Sequence, residues 1–262
     1  MRIDIATAPG DPGRPNEDFA SVAVPASGQG GSLVVLDGVT PPRDGDDGCR
    51  HSVPWFTAHL GGALGELSVS RRDLTLRDVL SEAIVRTADT HRATCDLSHP
   101  RTPQATVVLA RWDAERVEHL VLSDSALLLE RPDGSVDAVL DDRLARVPRA
   151  ALGSAAHVDA VLRNREGGFF TAAADPTVAG RAVAGASARD EVRSLLALTD
   201  GATRWVDRFT AGDWHACHTI VRKEGTQSLI DRVRDLERSR EGRAALGHSK
   251  PHDDAAAVYA EL

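Results

Sequence analysis

Five acidic segments of this chain stand where apolar runs begin or end. The run 33–36 stops on Asp37-Gly38, and the run 195–198 leads through Thr199 into Asp200-Gly201. Asp253-Asp254 precedes the last apolar run, Asn16-Glu17-Asp18 opens another, and Ser123-Asp124-Ser125 separates two more. An unpaired carboxylate at the end of a buried strand is partly desolvated and costly. Far apart in sequence, such groups could converge on one metal site. Carboxylate oxygens are hard ligands that suit Mg²⁺ or Mn²⁺. Two such ions, about 3.5–4 Å apart, can orient water for in-line attack on phosphorus. Phosphoryl transfer needs positioning and charge neutralisation more than covalent help. At Asp37-Gly38 the glycine lets the backbone turn and approach a ligand closely.

The elements that must position these groups follow from the apolar pattern. Ile3 and Ile5 alternate, as in an edge strand, and the Pro- and Gly-rich segment 9–15 is a loop. Residues 19–24 and 32–36, separated by the turn-forming segment 25–31, read as antiparallel neighbours. Helical spacing follows twice: Trp55, Phe56, Leu60, Leu64 and Leu67, then Leu76, Val79, Leu80, Ala83, Ile84 and Ala88, with Thr75 or Asp73 as cap. Runs at 105–112, 117–123, 126–130 and 136–140 predict a four-stranded meander, its last turn made by Pro132-Asp133-Gly134-Ser135. Further strands are expected at 167–174, 192–199 and 255–262, and an amphipathic helix at 229–240. The segment 144–164 gives no periodic signal. Runs of strands with segregated helices indicate an α+β architecture, and with no linker in evidence residues 1–262 read as a single domain.

Composition bounds the partners. The chain has 262 residues, 42% hydrophobic and 27% charged, with a net charge of −8. That balance is ordinary for a globular protein and argues against a broad nucleic-acid surface. No run approaches the roughly 20 apolar residues of a membrane helix, and Met1-Arg2-Ile3-Asp4 lacks a signal-peptide layout. A cytoplasmic protein is expected. Cys49, Cys95 and Cys217 stand apart in the sequence without a Cys-x-x-Cys pair, which suggests neither a disulfide framework nor a structural zinc site. His215, Cys217 and His218 could bind zinc, but core packing or surface placement is the expectation. Trp55, Phe56 and Trp205 read as core residues. No Gly-x-Ser-x-Gly elbow or Walker motif is present.

Taken in order, the acidic segments resemble the motifs of the PPM-type (type 2C) metal-dependent serine/threonine phosphatases, as in a divergent bacterial member. The matching residues are Arg14-Pro15-Asn16-Glu17-Asp18, Asp37-Gly38, Ala105-Thr106, Asp124-Ser125, Thr199-Asp200-Gly201 and Asp253-Asp254. The resemblance implies two packed, mostly antiparallel β-sheets flanked by helices in a four-layer sandwich. It implies two Mn²⁺ or Mg²⁺ ions, bridged by Asp37 and bound by the Gly38 carbonyl, with Asp200 and Asp253 as further ligands. Glu17 and Asp18 would hold metal-bound water, Asp124 matches a residue associated with a weaker third ion, and Arg14 would contact the substrate phosphate.

The chain also departs from the pattern. Val39-Thr40-Pro41-Pro42 follows Asp37-Gly38 where the family has a Gly-rich turn, and Val39 occupies the place of a histidine proposed as general acid. Arg204 stands where some relatives carry another acidic ligand, Arg14 lies three rather than four residues before Glu17, and Asp254 replaces an Asn. The expected substrate is phosphoserine or phosphothreonine in a protein. The altered loop leaves two alternatives open: a small phosphorylated metabolite as substrate, or a pseudophosphatase that acts as a binding module.

Overall fold

The computed structural model describes residues 1–41, 47–247 and 250–262. Among these, ten strands form two five-stranded antiparallel sheets. The first sheet runs β1 (Arg2–Ala8), β10 (Ala255–Glu261), β9 (Ser194–Leu198), β6 (Ala126–Glu130), β7 (Val136–Leu140). The second runs β2 (Phe19–Ala23), β3 (Gly31–Leu36), β4 (Val107–Trp112), β5 (Arg116–Leu122), β8 (Val183–Ala188). Helices α1 (Val53–Ser70) and α2 (Leu76–His91) cover the second sheet. Helices α5 (Asp200–Asp207), α6 (Trp214–Glu224) and α7 (Thr226–Arg238) cover the first, with α8 (Arg240–Leu246) following α7. Two short turns of helix, α3 (Arg143–Arg146) and α4 (Ala155–His157), lie in the irregular segment after β7. No helix among the described residues is long and apolar enough to cross a membrane.

The central strands are apolar at every position because both of their faces are buried. Successive side chains point to opposite faces, so Leu33 and Val35 join the layer between the sheets while Val34 and Leu36 pack against α1 and α2. Strand β10 does the same, with Ala256, Val258 and Ala260 between the sheets and Ala255, Ala257 and Tyr259 under α5–α7. Truncating a fully buried leucine such as Leu60 or Leu64 to alanine would cost about 2–5 kcal/mol. Both covering helices are capped as their sequences suggest. Ser52 accepts the Trp55 N–H at 3.3 Å, and Thr75 forms a capping box with Asp78. A cap of this kind contributes about 1 kcal/mol.

The structure corrects the sequence reading in four places. The expected meander is two hairpins in different sheets, β4–β5 in the second and β6–β7 in the first. The chain crosses between them at Ser123, whose φ of 70° turns the backbone and whose N–H is held by Asp141 at 2.8 Å. The expected strand at 167–174 reduces to isolated bridges at Phe169 and Ala172. Strand β8 and helices α5 and α6 were not anticipated, since β8 is a mostly exposed run of small residues and α5 has only eight residues. Finally, Cys49 and Cys95 are not isolated. The α1–α2 hairpin sets the end of α2 beside the start of α1, and the two Sγ atoms lie 2.9 Å apart. Cys217 and His218 are buried on α6, as core packing predicts.

Candidate metal centre

The strand register gathers the acidic segments at one end of the sandwich. Phe19 pairs with Leu36, placing Asp18 and Asp37 at the same edge of the second sheet, and Val107 pairs with Leu122 beside them. In the first sheet Leu198 pairs with both Ala126 and Ala257, which brings Asp124, Asp200 and Asp253 to the corresponding edge. Asp200 is the first residue of α5, and Asp253 lies two residues before β10. Two glycines permit the close approach of these segments. A Cβ on Gly38 would sit 2.4 Å from the Glu17 carbonyl oxygen, and one on Gly201 would sit 1.9 Å from that of Asp254.

A cleft of about 310 Å³ opens at this edge, lined by Asp37, Asp124, Asp200 and Asp253 together with Gly38, Thr106 and Lys250. Its far wall, Leu144, Leu152, Val158 and Phe169, comes from the segment that carried no sequence signal. Asp37 is fixed from behind: its N–H donates to Thr106 Oγ1 at 3.2 Å, and its carbonyl accepts the Thr106 N–H at 2.9 Å. Burial, then the charges of Asp200, Asp18, Asp124 and Asp253, hold the Asp37 carboxyl well above the usual carboxylate range. Burial does the same to Asp18, reinforced by Asp200, Asp254 and Asp253 and opposed by the hydroxyl of Thr199, which donates to Oδ2 at 2.8 Å. Asp200 is pushed up to about 7 by burial and by Asp253 and Asp124, against the pull of Arg204 and Lys250. Burial also raises Asp124.

One atom shows what the cluster requires. Oδ1 of Asp18 is buried and has no hydrogen-bond partner among the described residues. A buried carboxylate oxygen without a donor is expensive, and its neighbours here are other carboxylates rather than donors. A divalent cation relieves both the orphaned oxygen and the mutual repulsion. The donor set is made of hard oxygens and fits Mg²⁺ or Mn²⁺.

The family model for protein phosphatase 2C matches residues 11–247 of this chain. The chain belongs to the protein phosphatase 2C family. Members of this family are metal-dependent serine/threonine phosphatases. Solved structures share the fold over essentially the whole chain. The serine/threonine phosphatase Stp1 from Staphylococcus aureus aligns with a TM-score of 0.62 at 14% identity, covering 100% of this chain and 95% of that one. The Mycobacterium tuberculosis serine/threonine phosphatase PstP/Ppp aligns at 0.58 and 16% identity, covering 100% and 98%. A sex-determining protein of C. elegans aligns at 0.58 and 14% identity, covering 99% of this chain and 64% of its own. No curated protein sequence matches the chain.

Within this protein phosphatase 2C frame, the remaining predicted residues fall into three groups. Asp254 does not face the cleft: its two oxygens accept the N–H groups of Gly10 and Glu17, each at 2.7 Å. The adjacent Asp253 lines the cleft, and both its oxygens carry cationic donors, Arg204 on Oδ2 and Lys250 on Oδ1, each at 3.0 Å. Glu17 accepts the Thr40 hydroxyl and lies 3.8 Å from Arg14. Arg14 itself, 47% exposed, lines a smaller neighbouring pocket with Glu17, His252 and Asp254 rather than the main cleft.

Sequence reasoning missed two features of the site. Arg163 lines the main cleft with its guanidinium over the Phe169 ring, 5.1 Å from the centroid. Burial draws its pKa down, opposed by Asp159 and Asp124. No motif marks it, and only the fold of the aperiodic segment 144–169 brings it there. Arg204 is the second. Its guanidinium bridges Asp253 and the fully buried Glu237 on α7, at 2.7 Å, and Glu237 also takes Arg234 at 2.9 Å and His252 at 2.6 Å. Four charged or titratable groups from three segments thereby set the position of Asp253.

Proposed function

We propose that this chain hydrolyses phosphoserine and phosphothreonine in proteins with two Mn²⁺ or Mg²⁺ ions at the acidic edge. Asp37, the Gly38 carbonyl, Asp200 and Asp253 would hold them, with Asp18 and Glu17 contacting their water and Asp124 beside a weaker position. Bound there, the ions supply charge neutralisation on the phosphoryl oxygens and acidify the attacking water. The observation that carries this reading is the unpartnered Oδ1 of Asp18 in a ring of carboxylates whose protons are held abnormally tightly.

The chain's own side chains supply the rest. Arg163, in the main cleft, takes the phosphate-binding role that the resemblance gave to Arg14, offering two N–H groups in a fixed fork. Thr106 and Ser125, hydroxyl to hydroxyl at 2.6 Å, buttress the backbone of Asp37. With Val39 at the start of the loop, protonation of the leaving alcohol falls to water. The apolar wall of the cleft receives the residues flanking the phosphorylated side chain. The cytoplasm suits the chain, where the cysteines stay as free thiols.

A second reading is favoured by Lys250 and Arg204. With both oxygens of Asp253 engaged by cations, the second metal must compete with Lys250, and turnover is impaired relative to an unobstructed site. One set of assays separates the readings. A phosphopeptide, p-nitrophenyl phosphate and a small phosphorylated metabolite are each followed with Mn²⁺, with chelator, and with Asp37→Asn. The protein phosphatase reading expects Mn²⁺-dependent release of phosphate from the phosphopeptide, abolished by chelator and by the substitution. Activity indifferent to chelation would overturn the metal mechanism. Turnover of the metabolite alone would select the small-molecule reading, and none on any substrate by a folded, Mn²⁺-binding chain would select the pseudophosphatase.

A further inference from the structure

We propose that Cys49, His51, His91 and Cys95 form a structural zinc site, separate from the carboxylate cleft. The four ligand atoms lie within 4.8 Å of one another. Cys49 Sγ is 2.9 Å from Cys95 Sγ, 3.4 Å from His91 Nδ1 and 3.7 Å from His51 Nδ1, and His51 Nδ1 is 3.3 Å from Cys95 Sγ. Zinc bonds of about 2.3 Å to sulfur and 2.0–2.1 Å to nitrogen in a tetrahedron put ligand atoms about 3.3–3.8 Å apart. Three of the four separations already match, and the two sulfurs need only part slightly around the ion. Two thiolates and two imidazoles make a closed Cys₂His₂ set. Soft and borderline ligands of this kind select zinc over the hard cations suited to the acidic cleft. Binding releases the two thiol protons to solvent.

The site is built from two short pairs, Cys-x-His before α1 and His-x-x-x-Cys at the end of α2. The segments are also joined directly, the Asp96 N–H donating to the Gly48 carbonyl at 2.7 Å. Trp55 orients the rings: it stacks on His51 with centroids 4.0 Å apart and lies 5.2 Å from His91. Ser52, the residue after His51, caps α1. A zinc ion here fastens the loop that begins at Gly38 to the base of the α1–α2 hairpin. The loop that replaces the family's Gly-rich turn would thus be anchored at its far end by metal.

Metal analysis of the full chain, purified without chelator, tests this. One equivalent of zinc per chain is expected by elemental analysis and native mass spectrometry, surviving dialysis against Mg²⁺ and lost in His91→Ala and Cys95→Ser. Cobalt substituted for zinc should give thiolate charge-transfer and tetrahedral ligand-field bands, and removal of the metal should change the fluorescence of Trp55. Asp37→Asn should keep its zinc whatever its activity, so the outcome is independent of the phosphatase reading. If the cysteine and histidine variants fail to fold, the wild-type stoichiometry and cobalt spectrum decide. A reduced, folded chain that takes up neither zinc nor cobalt would overturn the proposal. A freshly purified chain two hydrogens lighter, with Cys49 and Cys95 joined as a disulfide, would also overturn it.

Discussion

The carboxylate cleft and the Cys/His cluster solve opposite problems with the same helix-covered sheet. In the cleft, like charges are pressed together at strand ends, and the fold holds them there with Thr106, Thr199 and backbone contacts. Folding works against electrostatics, and the region is left needing a cation. In the cluster, neutral groups from a loop and a helix end already touch, through thiol and imidazole contacts and a stacked indole. Folding there proceeds without cost, and metal would lock what packing has begun. A site strained without its ion suits exchangeable catalytic cations, and a relaxed one suits a permanent structural ion.

Substitutions can break this contrast. The largest effect is expected for Asp37→Asn, with phosphatase activity falling at least about 100-fold, as for loss of a group central to a metal site, and zinc content unchanged. Phosphate release and elemental analysis on the same sample check both halves. Next comes Glu237→Gln, which leaves Arg204 and Arg234 facing a neutral partner in the core. Breaking a buried pair costs about 3–5 kcal/mol, so denaturant midpoints should drop sharply and Asp253 should lose its registration, raising the Mn²⁺ concentration needed for activity. Cys95→Ser should abolish zinc binding and lower the melting temperature by several degrees, on the order of 2–4 °C per kcal/mol for a chain of this size, while phosphate release persists once the protein is folded.

A pH titration of stability sharpens the contrast without mutation. Asp18 and Asp37 are raised well above their ordinary values and Asp200 to about 7. The folded chain therefore keeps protons that the unfolded chain has already released. Their contribution is present below the unfolded pKa, about 4, and is lost as pH rises toward 7 and beyond. With chelator present, unfolding midpoints should decline over that range, and saturating Mn²⁺ should flatten the decline. A slope untouched by Mn²⁺ would mean that these carboxyls do not hold the cation. The smallest effect is expected at Lys250→Ala, which frees Oδ1 of Asp253 and should lower the Mn²⁺ requirement by a few fold. An increased requirement would mean that Lys250 assists the site rather than competing in it.

The acidic site was legible because each ligand ends an apolar run. Leu33 to Leu36 and Leu195 to Leu198 announce buried strands, and the carboxylates after them have nowhere to go but a shared edge. The fold class followed from the same runs, although the crossover at Ser123 was hidden: a left-handed residue between two strands looks, in sequence, like any other turn. Arg163 was invisible because 144–169 has neither helical nor strand periodicity, its order coming from contacts such as Val158 and Phe169 in a small satellite core. The Cys/His cluster was invisible for another reason. Its pairs are separated by two helices, and spacing alone cannot show that the helices turn back on each other.

The pairing of β1 with β10 and the grip of Asp254 on Gly10 and Glu17 also fix a timetable. The acidic edge combines residues 17–38, emerging early from the ribosome, with Asp253, emerging almost last. The second sheet and its α1–α2 cover, apart from edge strand β8, can form from residues before 123, but β1 has no strand partner until 255–261 are made. Until then an unpaired edge is exposed, a hazard for association with other chains. Synthesis interrupted before residue 253 would leave most of the fold without the ligand that completes its site, so the nascent chain gains a competent centre only at its final step.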